Sequence, residues 1–304
     1  MCDARIVVQD KKLYVAGGTS PVNDAIHLVY VYDINTDFWG QLPPPGHYNG
    51  VPQIIGGKLA IIGGCLSATG AITNKVSTFD ETSQTWTSYY PDLLSVRNKP
   101  GVVIHLEHVI VAGGVKKIDS LAIHNDIEVL DWTQNVQWKM VSIHLPVPMF
   151  GFRPIIAENC LVIVGYADAD LYREKIAYKI PVTYITRSND LEESSIAPVK
   201  WITLTAATHW YANLVPNSYP PVVVGGHDQN GSMPTADIQI YEDSSKSWRN
   251  IALLSSAKTR LGIAAVNDSA IIVLGGCTKS NSPANVKSSS LSTVELGQAQ
   301  INKH

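Results

Sequence analysis

The apolar residues of this chain fall in short runs bounded by glycine and polar clusters, and nowhere do they show the 3.6-residue period of an amphipathic helix. Five runs end in a Gly-Gly pair: Leu13 to Gly18, Leu59 to Gly64, Val109 to Gly114, Val222 to Gly226 and Ile271 to Gly276. A sixth, Leu161 to Gly165, is followed by Tyr166 where the second glycine would stand. The first glycines are 46, 50, 52, 60 and 50 residues apart, the spacing of a tandem array. A second mark follows each of the first five runs. It reads Tyr32-Asp33 then Trp39, Phe79-Asp80 then Trp86, Leu130-Asp131 then Trp138, Tyr178 then Trp201, and Tyr241-Glu242 then Trp248.

Repeat two shows the unit best, as four short strands over Gly50–Ile55, Lys58–Gly63, Lys75–Phe79 and Thr85–Tyr89. Gly56-Gly57 has the composition of a two-residue hairpin turn, and residues 81–84 are polar turn formers. One such sheet cannot bury both of its faces, so it must stack on its neighbours. A ring of stacked sheets leaves only short, protected edges.

Gly-Gly, then an aromatic beside an acid, then Trp resembles the kelch repeat, and the resemblance covers essentially the whole chain. It implies an all-β fold, a six-bladed β-propeller with four antiparallel strands per blade. One domain over 1–304 is expected, its blades at about 4–43, 49–94, 100–146, 153–206, 211–255 and 261–304. Each Trp is expected to be buried between blades, so the most conspicuous residues of the sequence are structural.

Call the strands a to d from the centre outward. In such a meander the b–c loops and the d–a connections to the next blade emerge on one face, the a–b and c–d turns on the other. The b–c segments are the long ones, and long loops on a rigid scaffold are where binding residues concentrate. Counting back from the glycines sets the d–a residues in register: His47, Tyr48 and Asn49; Arg97, Asn98 and Lys99; Met149 to Arg153, with Phe150 and Phe152; His209, Trp210 and Tyr211; Lys258, Thr259 and Arg260. Tyr48, Asn49, Arg97, Asn98, Phe150, Phe152, Arg153, His209, Trp210, Tyr211 and Arg260 are the candidate binding residues. Aromatic rings and guanidinium groups around a central opening suit a peptide, particularly one with carboxylates. In kelch propellers of the ubiquitin-ligase adaptor type, arginines in these connections read acidic peptides, a role that transfers by position to Arg97, Arg153 and Arg260. The alternative is structural: aromatics that plug the channel, and arginines paired with acids of a neighbouring blade.

The composition narrows the partner. A net charge of −3 without a basic block offers no long-range attraction for nucleic acid or an anionic membrane. No apolar run approaches the roughly 20 residues of a spanning helix, and the chain runs from Met1 almost directly into strand, so no leader is expected. Four cysteines, none in a CxxC pair, are expected to be isolated buried groups, which implies a reducing, cytoplasmic setting. Asp168 and Asp170 fall short of a calcium loop, and there is no P-loop, HExxH or GxSxG. No cofactor, metal or catalytic residue is expected. The reading is a protein- or peptide-binding module, monomeric as an isolated domain. A small-sugar enzyme of the kelch type and an actin- or matrix-associated propeller are the alternatives. Blade four carries about twenty extra residues after Lys179, expected to form a solvated c–d insertion.

Overall fold

A computed structural model describes residues 2–19, 25–117, 122–134, 137–169, 172–186, 202–204, 213–215, 218, 220–228, 233–267, 270–277 and 292–295. Blade one is the antiparallel meander Arg5–Gln9, Lys12–Ala16, Val29–Asp33 and Phe38–Leu42. Blade two runs Val51–Ile55, Lys58–Ile62, Val76–Asp80 and Thr85–Thr87, and blade three Gly101–His105, His108–Ala112, Ile127–Asp131 and Lys139–Met140. Blade four runs Ile155–Ala157, Cys160–Ala169, Tyr172–Pro181 and Ile202–Thr203, and blade five Asn213–Leu214, Val222–Val224, Asp237–Glu242 and Ser247–Leu253. Five sheets therefore have four strands. The sixth shows three among the described residues, Gly262–Asn267, Ala270–Leu274 and Ser292–Glu295. Residues 301–304, where a short fourth strand or none is expected, lie outside them.

The apolar runs are continuous because the b strands that carry them are buried on both faces. In blade one Ile6, Leu13, Val15 and Tyr32 face blade six, while Val7, Tyr14, Ala16 and Val29 face blade two. One apolar cluster fills each of the six junctions around the ring, including that between blades six and one.

The turn chemistry accounts for the rest of the repeat. Gly56 and Gly57 both have positive φ, 54° and 78°, as a twisted two-residue hairpin turn requires. The acid of the second mark caps the c–d turn: the Asp33 carboxylate accepts the N–H groups of Asn35 and Thr36, and Asp80 that of Thr82. Trp39, Trp86 and Trp248 then pack on the strand-c aromatic directly opposite, Tyr32, Phe79 and Tyr241, at ring separations of 5.0, 5.2 and 5.2 Å.

Three sequence expectations need correction. The tryptophans are not uniformly buried. Trp138 is 1% exposed, whereas Trp39 is 42% exposed. Trp86 and Trp138 donate their indole N–H to Pro43 O and Pro91 O on the connection leaving the preceding blade. For Trp39 the preceding blade is the sixth, whose last residues lie outside those described. Second, the cysteines are not all isolated. Cys2 and Cys277 form a disulfide 275 residues apart in sequence. Cys2 also exchanges backbone hydrogen bonds with Thr19, and Cys277 with Thr259. The seam between blades one and six is thus closed by a covalent bond, an apolar cluster and the bond from Asp3 N–H to Arg260 O. Third, the b–c segment of blade four is a ribbon. Strands b and c pair in unbroken register from Cys160 with Pro181 to Ala169 with Tyr172. Beyond it Thr183–Thr186 is a single helical turn that buries Ile185, and 187–201 lie outside the described residues.

Candidate functional site

The described d–a connections converge on one end of the axial channel, where each supplies three residues in a repeating arrangement. The first is buried between blades. His47 uses Nδ1 to donate to Gly63 O at 2.6 Å, and its Nε2 meets Ser77 Oγ at 2.8 Å. Burial pushes its pKa down, in keeping with the neutral ring those bonds require. Arg97 occupies the same place one blade later and donates to the matching carbonyl, Gly113 O, at 2.7 Å. Its Nε donates to Glu128 Oε1 at 2.9 Å and its Nη2 to Asp126. Both Arg97 and Glu128 are fully buried. Met149 and Lys258 hold the first place elsewhere and are buried too.

In four of the connections the second residue forms a β-bridge to the residue after the Gly-Gly pair. Tyr48 pairs with Cys65, Asn98 with Val115, Thr259 with Cys277 and, by the same pattern, Cys2 with Thr19. This explains the glycines. A Cβ on Gly64 would stand 2.2 Å from Tyr48 O of its own blade's connection, and one on Gly63 2.4 Å from Arg97 O of the next. Both have positive φ, so each pair is clamped between two connections with no room for a side chain.

The third residue turns in toward the axis. Asp3, Asn49, Lys99, Gly151 and Arg260 all have positive φ, between 52° and 70°. Together with Arg5 they surround a cavity of about 30 Å³ at the mouth of the channel. Lys99 Nζ donates to Asp3 Oδ2 at 3.2 Å, and Arg260 Nη1 lies 3.8 Å from the same oxygen. Burial pushes the Asp3 carboxyl up, but Lys99 and Arg260 outweigh it and hold its pKa below the ordinary carboxylate value. Lys99 and Arg260 are each partly exposed and share this one carboxylate.

The expected binding residues therefore separate. Arg260 and Asn49 are at the mouth. Tyr48 stands beside them, its ring 4.4 Å from that of His27 and its hydroxyl bonded to the Cys65 thiol, a contact that with burial raises the Tyr48 pKa. Asn98 holds the Val115 bridge. Phe150 is half-buried beside Gly151. Arg97 is enclosed, with no surface to offer a ligand. Phe152 is 5% exposed and packs in the core between blades three and four, over Gly101 and Gly113. Arg153 lies below the mouth, inside the channel, where its Nη1 donates to Ile263 O. Both aromatic and charged side chains in this register served packing because the first residue, and the strand start that follows the third, point into the ring. His209, Trp210 and Tyr211 lie outside the described residues.

Asp3 and Arg5 were not singled out from the sequence, and Lys99 was set in register there without being counted among the candidate binding residues. The signal was present: Asp3, Asn49, Lys99 and Gly151 each stand 14 residues before the first glycine of their blade, Gly17, Gly63, Gly113 and Gly165. Among the described residues no cluster of His, Cys, Asp or Glu is arranged to hold a metal ion, and no helix is long and apolar enough to cross a membrane.

The comparisons with known proteins agree with this architecture. A family model described as the kelch motif matches residues 1–46. No curated protein matches the chain. Among solved structures, that of YjhT superposes over 98% of this chain and 95% of its own length, with a TM-score of 0.74 at 13% identity. At that identity the likeness speaks for the fold alone. The repeat, the ring of stacked sheets and the motif match over residues 1–46 together support a β-propeller of the kelch type.

Proposed function

We propose that the protein is a recognition module that binds an acidic segment of a partner protein on the face formed by the d–a connections and b–c loops. One observation carries this reading: the channel mouth presents two partly exposed cations, Lys99 and Arg260, to solvent on either side of Asp3. A carboxylate from outside can complete that cluster, and Tyr48 with His27 supplies an aromatic shelf beside it. Kelch propellers include both interaction modules and enzymes, and the fold is compatible with either.

The pairing of Cys2 with Cys277 supports an oxidising compartment as the alternative to the cytoplasmic setting expected from the sequence. Stable disulfides belong to oxidising compartments, and a non-reducing gel of protein from its native source tests this directly.

The binding face is tested with an array of acidic, neutral and basic peptides of equal length. Acidic peptides should be retained, and Lys99→Ala with Arg260→Ala should abolish retention. Leu106→Glu, on the exposed a–b turn of blade three at the opposite face, should leave it unchanged. Loss of binding on Leu106→Glu, with none from the mouth changes, would move the site to the other face.

A further inference from the structure

Below the mouth the channel opens into a cavity of about 320 Å³, walled by the inner strands of blades one, two, three, four and six. Its walls are mostly aliphatic, and the amide of Gln53 is already committed to Val102 O at 3.1 Å. Two guanidinium groups reach into this apolar space. Arg5, from blade one, crosses the axis to donate to Phe152 O at the start of blade four, at 3.1 Å. Arg153, from blade four, donates to Ile263 O in blade six.

A guanidinium carries five N–H donors, and each of these has one acceptor among the described residues. No described carboxylate lines the cavity. Asp3, the nearest acid, attracts Arg5 from the mouth but already serves Lys99 and Arg260. Residues 205–213, which lead into the inner strand of blade five, contain no Asp or Glu. Burial, and then the neighbouring charge of Arg5, push the Arg153 pKa down to about 9, so it stays charged at neutral pH under a heavy penalty. A strut to a backbone carbonyl needs only one donor, which a neutral glutamine would supply. Two like charges side by side in an apolar channel are stable when an anion lies between them.

We propose that the axial channel holds a small carboxylate, its oxygens taken by Arg5 and Arg153 and its short apolar body by the aliphatic walls. The volume stands at the low end for ligand cavities, which sets the ligand's size. Phosphate fits less well, since its extra oxygens and charge would face valine, isoleucine and alanine. This site rests on Arg5 and Arg153, and is independent of the acidic-segment reading at the mouth.

The test is calorimetric titration and thermal melting of the full chain with propionate, butyrate and hexanoate, with their primary amides, and with inorganic phosphate. The carboxylates should bind saturably and raise the melting temperature while the amides do neither. Arg153→Gln, which keeps a donor for Ile263 O, should weaken carboxylate binding at least about tenfold. Lys99→Ala and Arg260→Ala should leave it unchanged, which separates this site from the mouth. Amides binding as well as acids, or no saturable binding of any carboxylate, would overturn the site, and preference for phosphate would overturn the carboxylate assignment. Should Arg153→Gln fail to fold, the acid-against-amide comparison on the natural sequence decides alone.

Discussion

Replacing Arg97 by alanine is expected to damage the fold, although its sequence position marks it as a ligand-reading arginine. The side chain is fully buried and ties the connection into blade three to that blade's strands through Glu128, Asp126 and Gly113 O. Removing it leaves the buried Glu128 without its cation, a loss of about 3–5 kcal/mol when one partner of a buried pair is deleted. Glu128 keeps the backbone N–H groups of Leu94 and Ser95, at 2.7 and 3.1 Å, which places the expected loss near the lower end. With an unfolding entropy of about 2.1 cal/mol/K per residue, about 3 kcal/mol lowers the melting temperature of this chain by roughly 5 °C. Arg97→Met with Glu128→Gln should recover much of it, because the glutamine carbonyl still accepts from Leu94 and no buried charge remains. Acid sharpens the test. Burial pushes the Asp126 carboxyl up, but its hydrogen bond with His124 and the charge of Arg97 outweigh this and hold it at about 2. A depressed carboxyl stabilises the fold above its unfolded pKa of about 3.9, and that contribution is lost as pH falls from about 4 to about 2. In Arg97→Ala this acid loss should shrink but persist, since the His124 bond remains. Calorimetry from pH 7 to 2 measures both effects. A melting temperature within about 1 °C of the natural protein, or an unchanged acid limb, would refute the clamp.

The disulfide across the seam closes nearly the whole chain into a loop, so Cys277→Ser should destabilise by up to about 5 kcal/mol, the chain-entropy ceiling. Melting with and without reductant checks this, and a natural protein indifferent to reductant speaks against the bond. Trp138→Ala should cost about 3–5 kcal/mol, and Trp39→Ala, at 42% exposure, clearly less. Equal losses in chemical denaturation would mean that the two indoles share one environment after all. Gly64→Ala should destabilise by more than about 1 kcal/mol, since its Cβ meets Tyr48 O and its φ is +105°. Gly57→Ala, with positive φ but open space around it, should be milder, and the reverse order in denaturant melts would contradict the clamped-glycine geometry.

The propeller was legible in the sequence because its signals are local and repeated. An apolar run ending in glycine recurs six times, a tryptophan follows each of the first five, and the copies reinforce one another. The site was less legible because it is made of one residue from each of several blades, and the same connection supplies residues with opposite fates. Arg97 and Arg260 both read as exposed connection arginines, yet two positions of register place one in a buried ion pair and the other at the channel mouth. Phe152 and Arg153 lie just past the three residues of their connection, ahead of the inner strand Ile155–Ala157, and there the guanidinium enters the channel and the ring the core. The bond between Cys2 and Cys277 joins residues that are neighbours only because the ring closes, and no local pattern announces it. Spacing along the chain set which residues are equivalent. Only closure of the ring decided which of those equivalent residues face solvent, which face the next blade and which face one another across the axis.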